Sequence, residues 1–276
     1  MINKLLICTD LDRTLIPNGE AEESDNARYL FSQLVANSQV TLAYVTGRDQ
    51  LLVKNAIAQY QLPLPNFVIA DVGSSIYKIE NNQWIREDNW DEKIAVDWQN
   101  KDYADLIPLF ADLKSCRLQE KSKQGLHKLS YYVSFDADVE ILIKEIRLRL
   151  QQKQIKSNLI WSIDEEASIR LLDILPISAN KRHAIEYLME KQDFTLENTI
   201  FSGDSGNDLD VLISPIKSIL VANAHEEVKE KVKFHLQTTG EKYSVYIAKG
   251  GYLSMNGNYS SGIVEGIFHY FPDIKY

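Results

Sequence analysis

The sequence has few cysteines and no long apolar stretch. Its 276 residues include two cysteines, Cys8 and Cys116, which are too few and too isolated for a disulfide framework or a cysteine-rich zinc site. This fits a reducing compartment, and we expect a cytoplasmic protein. The apolar run at residues 5–8 is followed at once by acidic residues, which is typical of neither a signal peptide nor a membrane span. We therefore expect no membrane partner.

Positive charge is also scarce. The chain has 30 Lys and Arg residues against 39 Asp and Glu residues, a formal net charge of −9. This balance argues against a general affinity for nucleic-acid backbones, although a few local cations and a metal can still bind a small phosphorylated ligand. Hydrophobic residues form 45% of the chain, enough for a sizeable core. The length fits about two domains, or one domain with a large insertion.

Strand-like and helix-like segments alternate in both the first and the last part of the chain. Residues 5–8 form a continuous apolar run, which is typical of a buried parallel strand, and the strand-like stretch 40–45 follows a segment with helical spacing. The same alternation resumes after residue 180. We predict an α/β fold with a doubly wound parallel sheet, built from residues 1–83 and 176–276.

The alternation is lost in the middle of the chain. This region has one amphipathic helical stretch, at residues 139–150. Its strand-like stretches are at residues 128–135, 159–163 and 169–175. We therefore predict an inserted α+β domain at residues 84–175, which makes the core discontinuous.

Two acidic residues follow the first predicted strand. Asp10 and Asp12 lie at its carboxyl end, where open parallel sheets bind ligands. Side chains two apart on an extended chain face the same way, so both carboxylates can reach one pocket. A turn or a helix cap is the alternative interpretation of this pair.

A second acidic motif follows the apolar stretch 199–202. Residues 203–208, with the sequence GDSGND, place Asp204 and Asp208 four apart among small residues. Carboxylate oxygens in such a permissive loop suit a hard cation such as Mg²⁺. The alternative is a polar turn between a strand and a helix.

Two further motifs complete the set. Thr46, Gly47 and Arg48 end the second predicted strand, where a hydroxyl stands beside a glycine that allows close backbone approach; a helix cap is the alternative. Lys181 begins a predicted helix, where the helix dipole disfavours a cation, so either an anion is bound nearby or the lysine lies on the surface. Since all these motifs fall at strand ends or helix starts, we expect them to meet in one crevice.

Taken in order, four motifs resemble those of the haloacid dehalogenase superfamily phosphatases: residues 10–14, Thr46, Lys181 and residues 203–208. The insertion resembles the cap of the subgroup that contains sucrose-phosphate phosphatase and the Cof-like phosphatases. Finer similarities to the sucrose-phosphate phosphatase branch lie at residues 71–77, 127–131 and 261–271.

The resemblance implies a Mg²⁺-dependent phosphatase in which Asp10 attacks phosphorus and Asp12, with a raised pKa, serves as acid and then base. The implied phosphate-binding residues are Thr46, Gly47, Lys181 and Asn207. The implied metal residues are Asp10, Asp12 through its backbone carbonyl, Asp204 and, in support, Asp208. Candidate substrate contacts are Arg48, His127 and Lys128, although the last two can also be an exposed basic pair at a strand start.

The substrate that the resemblance implies is sucrose 6-phosphate. The alternatives within the fold are a related disaccharide phosphate such as mannosylfructose phosphate, a broad Cof-like activity on sugar or cofactor phosphates, and a phosphosugar mutase. A non-catalytic phospho-acceptor or sugar sensor is the alternative from another class. A sugar-phosphate synthase is a further candidate partner, for which the sequence contains no supporting feature.

Overall fold

The computed structural model describes residues 4–164, 169–240 and 245–274. These residues form two compact units. The core unit comprises the described residues of Met1–Gly73, Tyr77–Ile85 and Lys181–Tyr276, and the inserted unit comprises those of Ser74–Ile76 and Arg86–Asn180. The domain limits drawn from the sequence, and the separate role given to the insertion, stay predictions.

The strands are, in chain order, β1 (Leu5–Thr9), β2 (Val40–Val45), β3 (Phe67–Ala70), β4 (Ser75–Glu80), β5 (Gln83–Arg86), β6 (Cys116–Leu118), β7 (Leu129–Val133), β8 (Ser157–Asp164), β9 (Ile169–Pro176), β10 (Thr199–Gly203), β11 (Lys217–Leu220) and β12 (Val245–Ile247). The α-helices are α1 (Ala27–Val35), α2 (Gln50–Tyr60), α3 (Asp88–Ala95), α4 (Tyr103–Leu106), α5 (Val139–Gln152), α6 (Lys181–Lys191), α7 (Leu209–Leu212), α8 (Glu226–Thr239) and α9 (Ser260–Tyr270). No helix of the described residues is both long enough and apolar enough to cross a membrane.

Within the described residues, eight strands form one sheet in the order β12-β11-β10-β1-β2-β3-β4-β5. The strands from β12 to β3 pair in parallel, and β1 lies between β10 and β2. All five residues of β1 are buried, because helices and neighbouring strands cover both faces of a central parallel strand. The predicted α/β fold with a parallel sheet is thereby confirmed.

The parallel pairing fixes where the candidate residues meet. Thr9 of β1 is in register with Ser202 of β10 and with Tyr44 of β2. The three strands therefore end at the same edge of the sheet, and the residues that follow them line that edge. Asp49 precedes α2 as its N-cap, and its side chain accepts a hydrogen bond from Leu52 N at 2.8 Å.

The inserted unit contains an antiparallel sheet with the order β6-β7-β9-β8. Every second residue of β7, namely Leu129, Tyr131 and Val133, belongs to a buried cluster with Trp98 and Ile146. This alternation is expected where one face of a sheet packs against helices. The inserted unit therefore has a hydrophobic core of its own.

Glu265 on α9 holds the segment that follows β12. Its carboxylate accepts hydrogen bonds from Tyr246 Oη at 2.7 Å and from the backbone N–H groups of Lys249 and Gly250, both at 2.9 Å. Gly250 has a φ of 80°, in the left-handed region that favours glycine. A buried carboxylate thus fixes the chain between β12 and α9 within the core unit.

Candidate active site

Asp10 and Asp204 follow the neighbouring parallel strands β1 and β10. The backbone N–H of Asp10 donates to Ser202 O at 2.9 Å, which continues the strand pairing up to the acid. One carboxylate oxygen from each of Asp10, Asp204 and Asp208 lies within 4.8 Å of the others, and all three residues are buried. We call these residues the acidic triad.

Lys181 is the cation that faces the acidic triad. Its Nζ lies 3.2 Å from Asp10 Oδ1 and 2.7 Å from Asp208 Oδ1, and the residue is only 2% exposed. Burial lowers the pKa of this lysine, but the charges of Asp10 and Asp208 outweigh burial and raise the pKa above its ordinary value. Lys181 is therefore charged, and the alternative of a surface lysine is wrong.

Asp10 is a buried carboxyl group among like charges. Burial is the main cause that raises its pKa well above the ordinary value, Lys181 opposes it, and the neighbouring acids raise the pKa further. An additional cation near Asp10 would offset both the burial and the repulsion.

Asp208 holds the surrounding groups in place. Its Oδ2 accepts hydrogen bonds from Asp204 N at 3.1 Å, Ser205 N at 3.1 Å and Ser205 Oγ at 3.2 Å, while its Oδ1 accepts from Lys181. Gly203 permits this approach, because a Cβ there would lie 2.6 Å from Asp208 Cγ. With donors on both oxygens, Asp208 is suited to positioning Asp204 and Lys181 rather than to direct metal ligation.

Asp204 offers the oxygen best suited to a metal ion. Its Oδ1 accepts a hydrogen bond from Thr14 Oγ1 at 3.2 Å, whereas its Oδ2 is buried and has no hydrogen-bond partner among the described residues. Burial, with the charge of Asp208, raises the pKa of Asp204 to about 7, although Arg13 opposes the rise. A buried, unpaired carboxylate oxygen beside two other carboxylates fits a hard divalent cation such as Mg²⁺.

Asp12 makes different contacts. Arg48 donates from Nε to Asp12 Oδ2 at 2.7 Å and from Nη2 to Oδ1 at 2.6 Å, and Asn18 Nδ2 donates to Oδ1 at 2.6 Å. Burial acts to raise the pKa of Asp12, but the hydrogen bonds and charge of Arg48, with Asn18, hold it below the ordinary value. The prediction of a raised pKa for Asp12 is therefore wrong for the protein without ligand.

Thr46 and Gly47 directly follow β2. Thr46 is buried, and its hydroxyl accepts a hydrogen bond from Arg48 N at 3.2 Å, so the turn is closed locally. A Cβ at Gly47 would meet only Val72 Cγ2, at an ordinary contact distance of 3.8 Å. No described protein atom therefore requires glycine at 47, and a phosphate role for Thr46 and Gly47 stays a prediction.

Asn207 lies beside the triad lysine. Its Oδ1 accepts hydrogen bonds from Lys181 Nζ at 3.0 Å and from Ser205 Oγ at 3.1 Å. This geometry links the loop after β10 to α6, and its phosphate-binding role stays a prediction.

His127 and Lys128 are buried in the inserted unit, 5% and 7% exposed. His127 packs edge-on against Trp98, with ring centroids 6.0 Å apart, and burial lowers its pKa. The alternative of an exposed basic pair is therefore wrong. Their burial leaves little surface for contact with a sugar.

Arg13 is a site residue that the sequence analysis did not single out. It lies between Asp12 and Thr14, and its Nε is 3.7 Å from Asp204 Oδ2. Its basic character inside an acidic motif was the only indication in the sequence. The spacing of residues cannot show that the side chain of Arg13 reaches an acid 191 residues later. The same holds for Thr14, which contacts Asp204 across 190 residues.

Comparison with known proteins assigns the sequence to a family. The sequence profile of the sucrose-6F-phosphate phosphohydrolase family matches residues 3–271. The chain belongs to this family. The resemblance to the haloacid dehalogenase superfamily and the predicted enzyme class, a phosphatase, are thereby confirmed.

Individual relatives agree with this assignment. A HAD-like hydrolase of Nitrosococcus oceani is 48% identical over 275 residues, covering 100% of this chain and 74% of that protein. Sucrose-phosphatase 2 of Nicotiana tabacum is 29% identical over 231 residues, covering 82% of this chain and 52% of that protein. The chain thus spans about half the length of the tobacco relative.

A solved structure shares the fold. The sucrose-phosphatase from Synechocystis, in complex with sucrose and phosphate, superposes with a TM-score of 0.75 at 23% identity and covers 98% of both chains. At this identity the similarity shows the fold and does not transfer a substrate.

Proposed function

We propose that this chain is a Mg²⁺-dependent phosphatase that hydrolyses a sugar phosphate, with sucrose 6-phosphate as the preferred substrate. The observation that carries the proposal is the buried Lys181, within 3.2 Å of Asp10 and 2.7 Å of Asp208 at the edge where β1 and β10 end. A permanent cation beside a buried carboxylate is suited to neutralise the oxygens of a bound phosphoryl group. The family match supplies the class of reaction.

In the first proposed step, a carboxylate oxygen of Asp10 attacks phosphorus. A bond forms between that oxygen and phosphorus, the bond from phosphorus to the sugar oxygen breaks, and the sugar oxygen takes a proton from Asp12. This yields an aspartyl-phosphate and the free sugar. In the second step Asp12 takes a proton from a water molecule, whose oxygen attacks phosphorus and releases inorganic phosphate from Asp10.

Other residues assist both steps under this proposal. Lys181, Thr46, Gly47 and Asn207 hold the phosphoryl oxygens, and Asp208 keeps Lys181 and the loop of Asp204 in place. Asp10, Asp204 and the backbone carbonyl of Asp12 would hold Mg²⁺, which would neutralise charge on the phosphoryl group. The unpaired Oδ2 of Asp204 supports this assignment.

Arg48 gives Asp12 two states in the proposed cycle. Paired with Arg48 on both oxygens, Asp12 is held as a carboxylate, which is the form that the second step requires. The first step requires the protonated form, so Arg48 must release Asp12 when substrate binds. Arg48 is then available to contact the substrate under this proposal.

The test is phosphate release with Mg²⁺ from sucrose 6-phosphate, mannosylfructose phosphate, trehalose 6-phosphate, glucose 6-phosphate and fructose 6-phosphate. A preference of about a hundredfold in kcat/KM corresponds to about 2.7 kcal/mol, which exceeds the usual effect of one lost contact. That result supports sucrose 6-phosphate and recognition of both rings. A flat profile favours the broad Cof-like activity, a bisphosphate requirement favours a mutase, and no release from any substrate contradicts the proposal.

The proposed partner is therefore a small sugar phosphate. A role of the inserted unit in substrate specificity, a synthase partner and a cytoplasmic location stay predictions.

A further inference from the structure

Arg13 places a second cation at the acidic triad, on the side of Asp204. Its Nε lies 3.7 Å from Asp204 Oδ2, too far for a hydrogen bond but within the range of an ion pair. Both atoms are buried, and within the described residues neither has a hydrogen-bond partner. The two atoms thus form a long ion pair in which neither makes a hydrogen bond.

The backbone of Arg13 is fixed by two asparagines. Its N–H donates to Asn18 Oδ1 at 2.7 Å, and its carbonyl accepts a hydrogen bond from Asn223 Nδ2 at 2.7 Å. Asn223 in turn accepts a hydrogen bond from Tyr259 N at 2.8 Å. The loop after β1 is therefore tied to the segment before α9, and the start of the Arg13 side chain has a defined direction.

Arg13 adopts a backbone conformation that its residue type disfavours. Its φ is 59°, in the left-handed region, where glycine or asparagine fits with less strain. A strained residue persists when the surrounding structure holds it there, and such residues cluster at functional sites. Glycine or asparagine would suit this backbone better, so the presence of arginine is best explained by a role of its side chain.

Gly19 and Tyr259 flank this side chain. A Cβ at Gly19 would lie 2.9 Å from Tyr259 Oη and 3.5 Å from Arg13 Nε. The arginine and the tyrosine therefore both border the space that a side chain at position 19 would fill. Arg13 Nε itself is buried near Asp204, although the side chain of Arg13 as a whole is 40% exposed.

Asp204 has one oxygen left for a cation. Thr14 Oγ1 donates to Oδ1, so Oδ2 is the atom available to a metal ion, and it is the atom that Arg13 faces. We propose that Arg13 competes with Mg²⁺ for Asp204 Oδ2 and thereby sets the Mg²⁺ affinity of the site. This inference rests on the metal site of the proposed function.

The competition has an electrostatic cause. Without metal, the guanidinium offsets part of the negative charge of the buried carboxylate. With Mg²⁺ bound, the same guanidinium stands near a dication and repels it. Loss of the arginine charge is therefore expected to tighten Mg²⁺ binding by about tenfold at low ionic strength, and by less at high salt.

The experiment is calorimetric titration of Mg²⁺ into the metal-free protein, so that the readout is binding and not turnover. Arg13→Asn removes the charge and keeps a residue that accepts the left-handed conformation. Arg13→Gln removes the charge from a longer side chain, and Arg13→Lys keeps the charge. Arg28→Gln is the matched control, because Arg28 is 37% exposed and pairs with Glu23, outside the triad.

The proposal predicts tighter Mg²⁺ binding for Arg13→Asn and Arg13→Gln, and a Kd within about twofold of the parent for Arg13→Lys and Arg28→Gln. Thermal unfolding in EDTA shows which variants fold. If Arg13→Asn does not fold, Arg13→Gln provides the test of the proposal. Equal or weaker binding by the folded uncharged variant overturns the inference. Absence of Mg²⁺ binding by the parent protein contradicts the metal site itself, which distinguishes the two failures.

Discussion

Arg48 holds both carboxylate oxygens of Asp12, with N–O distances of 2.7 and 2.6 Å. This fork-shaped pair favours the ionised acid. In Arg48→Gln the pKa of Asp12 rises, because burial continues to favour the neutral form while the charge and hydrogen bonds of Arg48 are lost. Since the second step needs Asp12 ionised, the acidic limb of the kcat profile should move to higher pH.

The measurement is kcat from pH 4 to pH 9 for the parent, Arg48→Gln and Arg48→Lys. The lysine variant retains a charge but only one contact, so its acidic limb should fall between the other two. An unchanged acidic limb in Arg48→Gln would show that Asp12 does not control that limb.

Asp12→Ala separates catalysis from simple phosphorylation. Without the acid and base, turnover should fall by roughly two to four orders of magnitude. A non-catalytic phospho-acceptor has no use for this residue, so its phosphorylation would be unaffected. Steady-state phosphate release measures turnover. Radiolabelled phosphate that stays on the protein after an acid quench measures phosphorylation. Asp10→Asn is the control, since it removes the proposed nucleophile and should abolish labelling in both cases.

Lys181→Met tests the stabilisation of the triad. Removing one member of a buried charge network typically costs about 3–5 kcal/mol, because the remaining charges lose their partner. The folded pKa of Lys181 lies above its ordinary 10.5, so its own contribution is present throughout the pH range below that value. The cost should shrink at acidic pH, where Asp10, with its raised pKa, takes up a proton.

Urea unfolding of Lys181→Met at pH 5 and pH 8 in EDTA provides the comparison. A loss of unfolding free energy that is independent of pH would contradict the ionic explanation and leave only lost packing.

Gly203→Ala tests the close approach of the Asp208 side chain. The Cβ of the new alanine would lie 2.6 Å from Asp208 Cγ, so the Asp208 carboxylate, which orders Ser205 and Lys181, must move. Overpacking of this kind costs about 1–3 kcal/mol. Gly206→Ala is the control, because a Cβ there meets nothing within 4 Å. Thermal unfolding of both variants checks the prediction, and equal melting temperatures would contradict it.

His127 should make the stability of the inserted unit depend on pH. Burial lowers its pKa, with Arg86 acting in the same direction and Asp91 and Asp102 opposing. The unfolded chain then binds the proton more readily, so stability is lost as pH falls below the ordinary value of 6.5. The uncharged ring of His127→Phe should remove this loss.

Urea titrations at pH 5 and pH 7.5 measure the effect. The free energy of unfolding of His127→Phe minus that of the parent should be larger at pH 5 than at pH 7.5. The same difference at both values would show that His127 does not take up a proton on unfolding.

Much of the core sheet can be predicted because its strands are continuous apolar runs. The strand-like stretch 40–45 coincides with β2, Val40–Val45, and the apolar run 5–8 lies within β1, Leu5–Thr9. A strand buried on both faces requires apolar residues throughout, so its composition alone marks its extent.

The region of residues 81–124 could not be predicted in the same way. Its helices are short, and β6 has only three residues, of which Arg117 and Leu118 are exposed. Periodicity is not visible over such lengths. Trp90 and Trp98 order this region through burial, which depends on residues distant in sequence.

The candidate site was predictable where it depends on topology. Strand ends meet at one edge of a parallel sheet, so Asp10 and Asp204 could be expected to converge. Which side chains pair within that edge depends on rotamers and small displacements. The Arg48–Asp12 pair, whose members lie 36 residues apart, therefore reversed the expected pKa of Asp12.

The position of β1 between β2 and β10 has a consequence for biosynthesis. Asp10 leaves the ribosome early, but β10 and Asp204 follow only after the whole insertion has been translated. At 5–20 residues per second, roughly 10–40 s separate the two acids. During that interval one edge of β1 lacks its strand partner, and an unpaired apolar edge invites pairing with other chains. Nascent chains stalled within the insertion should therefore depend on chaperones more than the completed protein does.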